Sequence, residues 1–138
     1  MVFRRLIFLT AAACALASGA ASACVAFDGF SDPSGAIRQD GYEARYRFDP
    51  SILRPLRQFT VEIAVCGTEG PFTGALKADA DMPAHRHGMN YRPDVRQTAP
   101  GRYRAEGFFL HMLGAWRFKL DLTTPEGPVR LRWAHDAS

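Results

Sequence analysis

The chain has 138 residues, of which 47% are hydrophobic and 22% are charged. These values are close to the averages of globular domains, so they argue against intrinsic disorder and against a polytopic membrane protein, and the length suits one domain. The formal net charge is +3, and two of the positive charges, Arg4 and Arg5, lie in a segment that we expect to be removed, so we exclude nucleic acid as a partner.

The first 23 residues have the layout of a secretory signal peptide. Arg4 and Arg5 form a short basic region, residues 6–23 carry no charge, and small residues occupy the expected cleavage site at Ala21 and Ala23. The second half of the uncharged stretch is too weakly apolar to hold a helix in lipid well, which makes a retained anchor the weaker alternative. We therefore predict a signal peptide over 1–23 and a periplasmic or secreted mature chain.

Cleavage after Ala23 leaves Cys24 and Cys66 as the only cysteines of the mature chain. An oxidising compartment favours a disulfide between them. Two alternatives stay open at this stage. The segment 21–24 faintly resembles a lipobox, which predicts a lipid anchor on Cys24, and both thiols can also stay unpaired.

The mature chain is predicted to be all-β. Residues 24–41 are rich in Gly, Ser and Asp and predict a loosely ordered lead-in. After it, apolar and polar residues alternate with the period of two that is typical of half-buried strands. The alternating segments are 42–48, 59–65, 76–80, 102–108, 116–122 and 129–133. Turns rich in Pro and Gly separate them, so we predict an immunoglobulin-like antiparallel β-sandwich of about seven strands over 42–138, with a small barrel as the alternative.

Histidine and methionine concentrate in two stretches that do not fit the strand pattern. His85 and His87 are two residues apart, so in an extended chain their side chains face the same way about 6–7 Å apart, and Met89 continues that face. His111 and Met112 lie on the connection between two predicted strands. Because the loops at one end of a sandwich cluster, we expect the two stretches to meet.

Imidazole and thioether together form a borderline-to-soft ligand set, which favours copper as Cu(I) or Cu(II). The predicted metal ligands are His85, His87, Met89, His111 and Met112. Zinc held by the three histidines is the alternative ion. Asp79 and Asp81 are interpreted either as polar residues at a strand end or as partners that orient the ligand histidines through hydrogen bonds, in preference to an acid–base role. The plainer interpretation is that the methionines fill the core and the histidines are solvated.

The same residues resemble a known family pattern. The two motifs are Met82-Pro83-x-His85-x-His87-Gly88 and His111-Met112-x-Gly114-x-Trp116. They resemble the YtkA-like/FixH-like family of exported domains, although Leu113 stands where that pattern often has proline. The resemblance implies a sandwich outside the cytoplasm, a role in copper handling or cytochrome oxidase assembly, and an envelope metalloprotein or oxidase-assembly partner.

These observations predict an exported copper-binding domain that is not an enzyme. The chain has no Gly-rich phosphate loop after a strand and no nucleophile elbow. A hydrolase that uses Asp79 or Asp81 with a metal-bound water is the weakest alternative. The stronger alternative is a metal-free β-sandwich that recognises a partner protein in the cell envelope. Copper should raise the melting temperature in the first case and leave it unchanged in the second.

Overall fold

A computed structural model describes residues 24–31 and 33–138, so the predicted signal peptide lies outside the described residues. The described chain is built from ten strands and two short 3-10 turns, Val25–Phe27 and Pro83–His85. The strands are β1 Gly35–Gln39, β2 Tyr42–Asp49, β3 Gln58–Gly67, β4 Gly70–Pro71, β5 Leu76–Met82, β6 His87–Gly88, β7 Asp94–Ala99, β8 Arg102–Phe109, β9 Gly114–Thr124 and β10 Gly127–Ala137.

The strands form two antiparallel sheets that pack face to face. One sheet has the order β1-β2-β3-β8-β7, with β4 added to β3, and the other has the order β10-β9-β5-β6. Side chains from the inner faces of both sheets form one hydrophobic core. The predicted immunoglobulin-like antiparallel β-sandwich is therefore confirmed.

Strand β5 shows how the sequence pattern produces this arrangement. Leu76, Ala78, Ala80 and Met82 are buried, whereas the intervening side chains are at least partly exposed. Side chains alternate across a strand, so one face joins the core and the other stays in water. The largest fully buried side chains of the core are Trp116, Phe108, Phe118 and Ile63.

Two predictions about the fold are corrected by the structure. The described part of the chain has ten strands, where the sequence predicted about seven. The segment 24–41, predicted as a loosely ordered lead-in, contains β1, which pairs with β2, and buries Ala26 and Phe30. Strands β1 and β7 lie at sheet edges and are mostly exposed, so their residues lack the strict alternation that identifies a half-buried strand.

Cys24 and Cys66 form a disulfide, as predicted, with their Cα atoms 6.3 Å apart. The bridge ties the start of the described chain to β3. A lipid anchor on Cys24 would need the same sulfur atom, so the lipidated form and the bridged form exclude each other. Among the described residues, the structure has no helix that is both long enough and apolar enough to cross a membrane.

The loops of the sandwich divide between two ends of the molecule. The histidine end consists of residues 50–57, 83–93 and 110–113, because the pairings Gln58↔Phe109 and Met82↔His87 bring the adjoining strand ends together. The acidic end consists of residues 40–41, 68–75, 100–101 and 125–126. These two names are used below.

Candidate functional site

His87 is positioned by a tight reversal of the chain at the end of β5. The strand ends at Met82, the turn Pro83–His85 follows, and Arg86 adopts a left-handed conformation with φ 56°. The chain then pairs back on itself, so that His87 lies directly opposite Met82 in an antiparallel register. Cross-strand partners project from the same face with Cβ atoms about 4.5–5.5 Å apart, so the imidazole and the buried thioether are neighbours.

The structure brings the three predicted histidines into a row. The ring centroids of His85 and His87 are 5.8 Å apart, and those of His87 and His111 are 5.1 Å apart. Trp116 lies edge-on to both inner rings, with its centroid 6.1 Å from His87 and 5.4 Å from His111. The predicted meeting of the two histidine stretches is therefore observed.

Two ring nitrogens in this row are buried without a partner. Among the described residues, His87 Nε2 and His111 Nδ1 are inaccessible to water and form no hydrogen bond. A buried polar atom without a partner costs about 1–3 kcal/mol. A neutral imidazole carries one nitrogen lone pair that can bind a metal ion, so an ion shared by these rings would supply the missing partner. Trp133 Nε1 is also buried and unpartnered, but it is a donor and cannot bind a cation.

The distances fit a shared ion at the inner pair of histidines. Metal–nitrogen bonds of about 2.0–2.1 Å place the centroids of two imidazoles on one ion about 5–6 Å apart. The separation of His87 and His111 lies in this range. Within residues 24–31 and 33–138, however, no group of three or more His, Cys, Asp or Glu side chains is arranged to hold a metal ion. The described residues thus contain a histidine pair with neighbouring sulfur, and the three-histidine zinc arrangement is not assembled.

Among the methionines, Met82 is the one that the strand register places opposite His87. Its side chain is only 1% exposed, and its Cε atom would lie 3.2 Å from a Cβ atom built on Gly114. Met82 therefore extends from the position opposite His87 to the residue that ends the His111 loop. Met82 was predicted as part of the first motif and not as a metal ligand, because its position opposite His87 depends on the pairing of the two-residue strand β6.

The two methionines predicted as ligands lie at the edge of this cluster. Met112 is 38% exposed, and its backbone carbonyl accepts a hydrogen bond of 2.9 Å from Trp116 Nε1. That bond holds the His111 loop against the core. Met89 is partly buried against the core, and its backbone N–H donates to the Ala80 carbonyl at 3.2 Å.

Asp79 and Asp81 point away from the histidines. They lie on the outer face of β5, where Arg117 donates two hydrogen bonds of 2.9 Å to Asp81 and Lys119 approaches both carboxylates within 3.2 Å. Partial burial alone would raise the pKa of Asp81, but the hydrogen bonds and charges of Arg117 and Lys119 outweigh it and hold the pKa below its ordinary value. Of the two predicted interpretations, polar residues at the end of a strand is the one that the structure supports, and the carboxylates do not orient the ligand histidines.

The fourth histidine, His135, faces the aromatic core. Its ring centroid is 5.0 Å from that of Phe48 and 6.1 Å from that of Phe118. Burial lowers its pKa from the ordinary value of 6.5, although the charge of Asp136 opposes the shift. His135 is thus a packed histidine, distinct from the row at the histidine end.

A separate cleft of about 1170 Å³ opens at the acidic end. Its lining includes Tyr42 and Phe72 together with glycines, prolines and threonines, and it contains no histidine or methionine. The cleft is also lined by Asp40, Glu69 and Glu126, but the histidine row lies at the other end of the described chain.

Comparison of the chain with protein-family models, with curated proteins and with solved structures finds no match. The resemblance to the YtkA-like/FixH-like family stays a prediction that is based on the two motifs. Functional conclusions therefore depend on the residues and the geometry described above.

Proposed function

We propose that this chain is an exported copper-binding domain that takes part in copper handling or delivery in the cell envelope and is not an enzyme. The observation that carries the proposal is the pair of buried, unpartnered ring nitrogens on His87 and His111, whose rings are 5.1 Å apart. Export is supported by the leader-like sequence and by the Cys24–Cys66 disulfide, which is typical of oxidising compartments.

Copper is the ion that suits this combination of side chains. His87 and His111 offer imidazole nitrogen, and Met82 offers a thioether on the same face. Thioether ligands select Cu(I), whereas Ca²⁺ and Mg²⁺ require oxygen ligands. The nearest carboxylates on β5 are held by Arg117 and Lys119 on the outer face. We infer that His87, His111 and Met82 hold the ion.

The two exposed residues of the site, His85 and Met112, suit transfer of the ion. His85 and Met112 are exposed beside the buried pair, so they are accessible to a copper donor or acceptor. Copper would pass to the partner by exchange of one protein ligand at a time, on the side of the site where His85 and Met112 are exposed. An envelope metalloprotein or an oxidase-assembly factor is the kind of partner that we propose, following the family resemblance.

The proposal is tested by titrating the processed protein with Cu(I) and Cu(II) in competition with a chelator. We expect the His87→Ala/His111→Ala variant to bind more than about 100-fold more weakly, since loss of an outer hydrogen-bond partner alone costs about 10–100-fold. His135→Gln is the control and should bind like the parent. Binding should weaken in acid, because only the neutral imidazole is a ligand. Equal affinity of the double variant and the parent would overturn the proposal.

The alternative is a metal-free interaction module, and the observation in its favour is the exposure of Met112 and Leu113 at the same end. A ligand that binds only the folded state raises the melting temperature. A thermal shift with copper that disappears in His87→Ala/His111→Ala would support the copper proposal. The absence of any shift in the parent would favour the interaction module.

A further inference from the structure

The histidine end carries most of the exposed apolar side chains of the described chain. Six large hydrophobic residues are prominently exposed, and Val25 is the one that lies elsewhere. The five at the histidine end are Ile52 at 76%, Tyr91 at 67%, Leu113 at 62%, Leu56 at 60% and Met112 at 38% exposure. They occupy all three segments that make up this end, so the apolar side chains surround the histidine row.

The same segments carry a positive charge that no carboxylate of residues 24–31 and 33–138 neutralises through an ion pair. Arg54, Arg57, Arg86 and Arg92 are exposed, and none lies within ion-pair distance of a carboxylate in the described part of the chain. Residues 50–57, 83–93 and 110–113 contain no Asp or Glu. The bordering carboxylates Asp49, Asp94 and Asp136 belong to the adjacent strands.

By contrast, most arginines on the faces of the sheets form ion pairs. Seven of the nine described arginines outside the histidine end form ion pairs, and Arg102 and Arg130 form none. The seven are Arg38, Arg45, Arg47, Arg96, Arg104, Arg117 and Arg132. Unpaired arginine is therefore not a general property of this surface. The concentration of unpaired arginine at one end indicates a binding partner with negative charge.

The three segments form one surface. The backbone N–H of Leu56 donates to the Leu110 carbonyl at 3.3 Å, which joins the first segment to the third. The contact between the rings of His87 and His111 joins the second segment to the third. Exposed apolar side chains and unpaired arginines thus share one end of the molecule.

We propose that the histidine end docks on an anionic lipid bilayer, with its aliphatic side chains in the headgroup region and its arginines on lipid phosphates. Amphipathic surfaces with basic residues around apolar ones bind membrane interfaces in this way. Protein–protein hot spots are enriched in Trp, Tyr and Arg and poor in Leu, whereas three of the five exposed residues here are Ile or Leu. Docking would place the copper site at the bilayer surface, and only that consequence depends on the proposed function.

The test is flotation of the processed protein with phosphatidylcholine vesicles, with and without phosphatidylglycerol. We expect binding to the anionic vesicles only, with affinity falling as salt rises. Arg54→Gln/Arg57→Gln should bind about 30-fold more weakly, because each basic residue near an anionic surface contributes about 5-fold. The matched control is Lys77→Gln/Arg130→Gln, which removes two exposed positive charges from the outer sheet face and should have a much smaller effect.

Insertion of the exposed apolar side chains into the bilayer is measured separately, by tryptophan fluorescence. The fluorescence of a new tryptophan in Leu113→Trp should shift to shorter wavelength when anionic vesicles are added. The parent should show no such shift, because Trp116 is buried and Trp133 is packed against the core. His87→Ala/His111→Ala should dock like the parent, which separates failure of copper binding from failure of docking. The proposal is overturned if the protein binds anionic and neutral vesicles equally, or if Lys77→Gln/Arg130→Gln loses as much affinity as Arg54→Gln/Arg57→Gln. It is also overturned if the fluorescence of the new tryptophan does not shift. An acidic protein would then be the better partner for this surface.

Discussion

The two ends of the sandwich differ in how completely their polar groups are satisfied. At the acidic end, the Tyr103 hydroxyl donates to the carbonyls of Phe72 and Gly74 at 3.0 and 2.8 Å, and the Thr124 hydroxyl donates to the Gly127 carbonyl at 2.6 Å. At the histidine end, two buried ring nitrogens and four arginines lack partners in the described chain. Charged side chains are unpaired at both ends of the described chain, because Asp40, Glu69 and Glu126 of the acidic end form no ion pair either. The two ends therefore differ in their buried polar atoms, since the unpartnered ring nitrogens lie at the histidine end.

Charge separates the same two regions. The turns of the acidic end carry Asp40, Glu69 and Glu126 and contain no Lys or Arg, which is the reverse of the histidine end. The disulfide also ties the chain at the acidic end, where Cys66 and Pro71 pair across β3 and β4. We therefore expect changes at the acidic end to lower the free energy of unfolding without altering copper binding.

The largest effect is expected from loss of the disulfide. Cys24 and Cys66 are 42 residues apart in sequence, and a bridge that closes a loop of this size stabilises a protein by about 2–4 kcal/mol. Cys24→Ser/Cys66→Ser should lower the free energy of unfolding by that amount in urea denaturation. Copper affinity measured in the folded range should stay unchanged, and a large loss of affinity would show that the two ends are coupled.

The next largest effect is expected from Tyr103→Phe. Burial raises the pKa of Tyr103 to about 12, and the neutral hydroxyl serves two carbonyls of the chain between β4 and β5. Removing it leaves both acceptors without this donor, which should cost about 1–3 kcal/mol of unfolding free energy. Tyr91→Phe is the matched control, because Tyr91 is 67% exposed and should tolerate the change. Equal losses in the two variants would contradict the role assigned to Tyr103.

A change at the histidine end should raise the free energy of unfolding instead of lowering it. His87→Phe replaces a ring with a buried unpartnered nitrogen by an apolar ring, so the metal-free protein should become more stable, by about 1 kcal/mol. The same variant should lose copper binding. Thermal unfolding with and without copper measures both. A variant that is much less stable than the metal-free parent would show that His87 has a structural role.

The smallest effect on the free energy of unfolding is expected from a change of His135. Because burial lowers its pKa in the folded state, the unfolded chain binds more protons just below pH 6.5, and stability falls as the pH drops from about 6.5 through the lowered pKa. His135→Phe should flatten this part of the stability–pH profile measured by urea denaturation. An unchanged profile would assign the acid sensitivity to other groups.

The fold was predictable where one face of a strand is buried. Segments such as 116–122 alternate because Trp116, Phe118 and Leu120 enter the core, and the structure extends that strand to Gly114–Thr124. The edge strands β1 and β7 are mostly exposed, and only Ile37 and Val95 pack partly against the core, so no clear alternation marks them. Strands β4 and β6 have two residues each, and they form through pairing with neighbours that a local pattern does not specify.

The candidate site was predictable only in part. The meeting of His87 and His111 followed from the clustering of loops at one end of a sandwich. Met82 was missed as a neighbour of His87 because the register of β5 with β6 places it there. An orienting role for Asp79 and Asp81 is excluded, because the alternation of β5 places them on the outer face with Arg117 and Lys119, where they are polar residues at the end of a strand.

The most direct test of the copper proposal is to follow the histidine ring nitrogens by ¹⁵N NMR while Cu(I) is added to the processed protein. We predict that His87 and His111 shift together and stop shifting at one ion per chain, whereas the ring nitrogens of His135 do not change. Rings of His87 and His111 that keep their chemical shifts while copper binds elsewhere, or does not bind, would contradict the account.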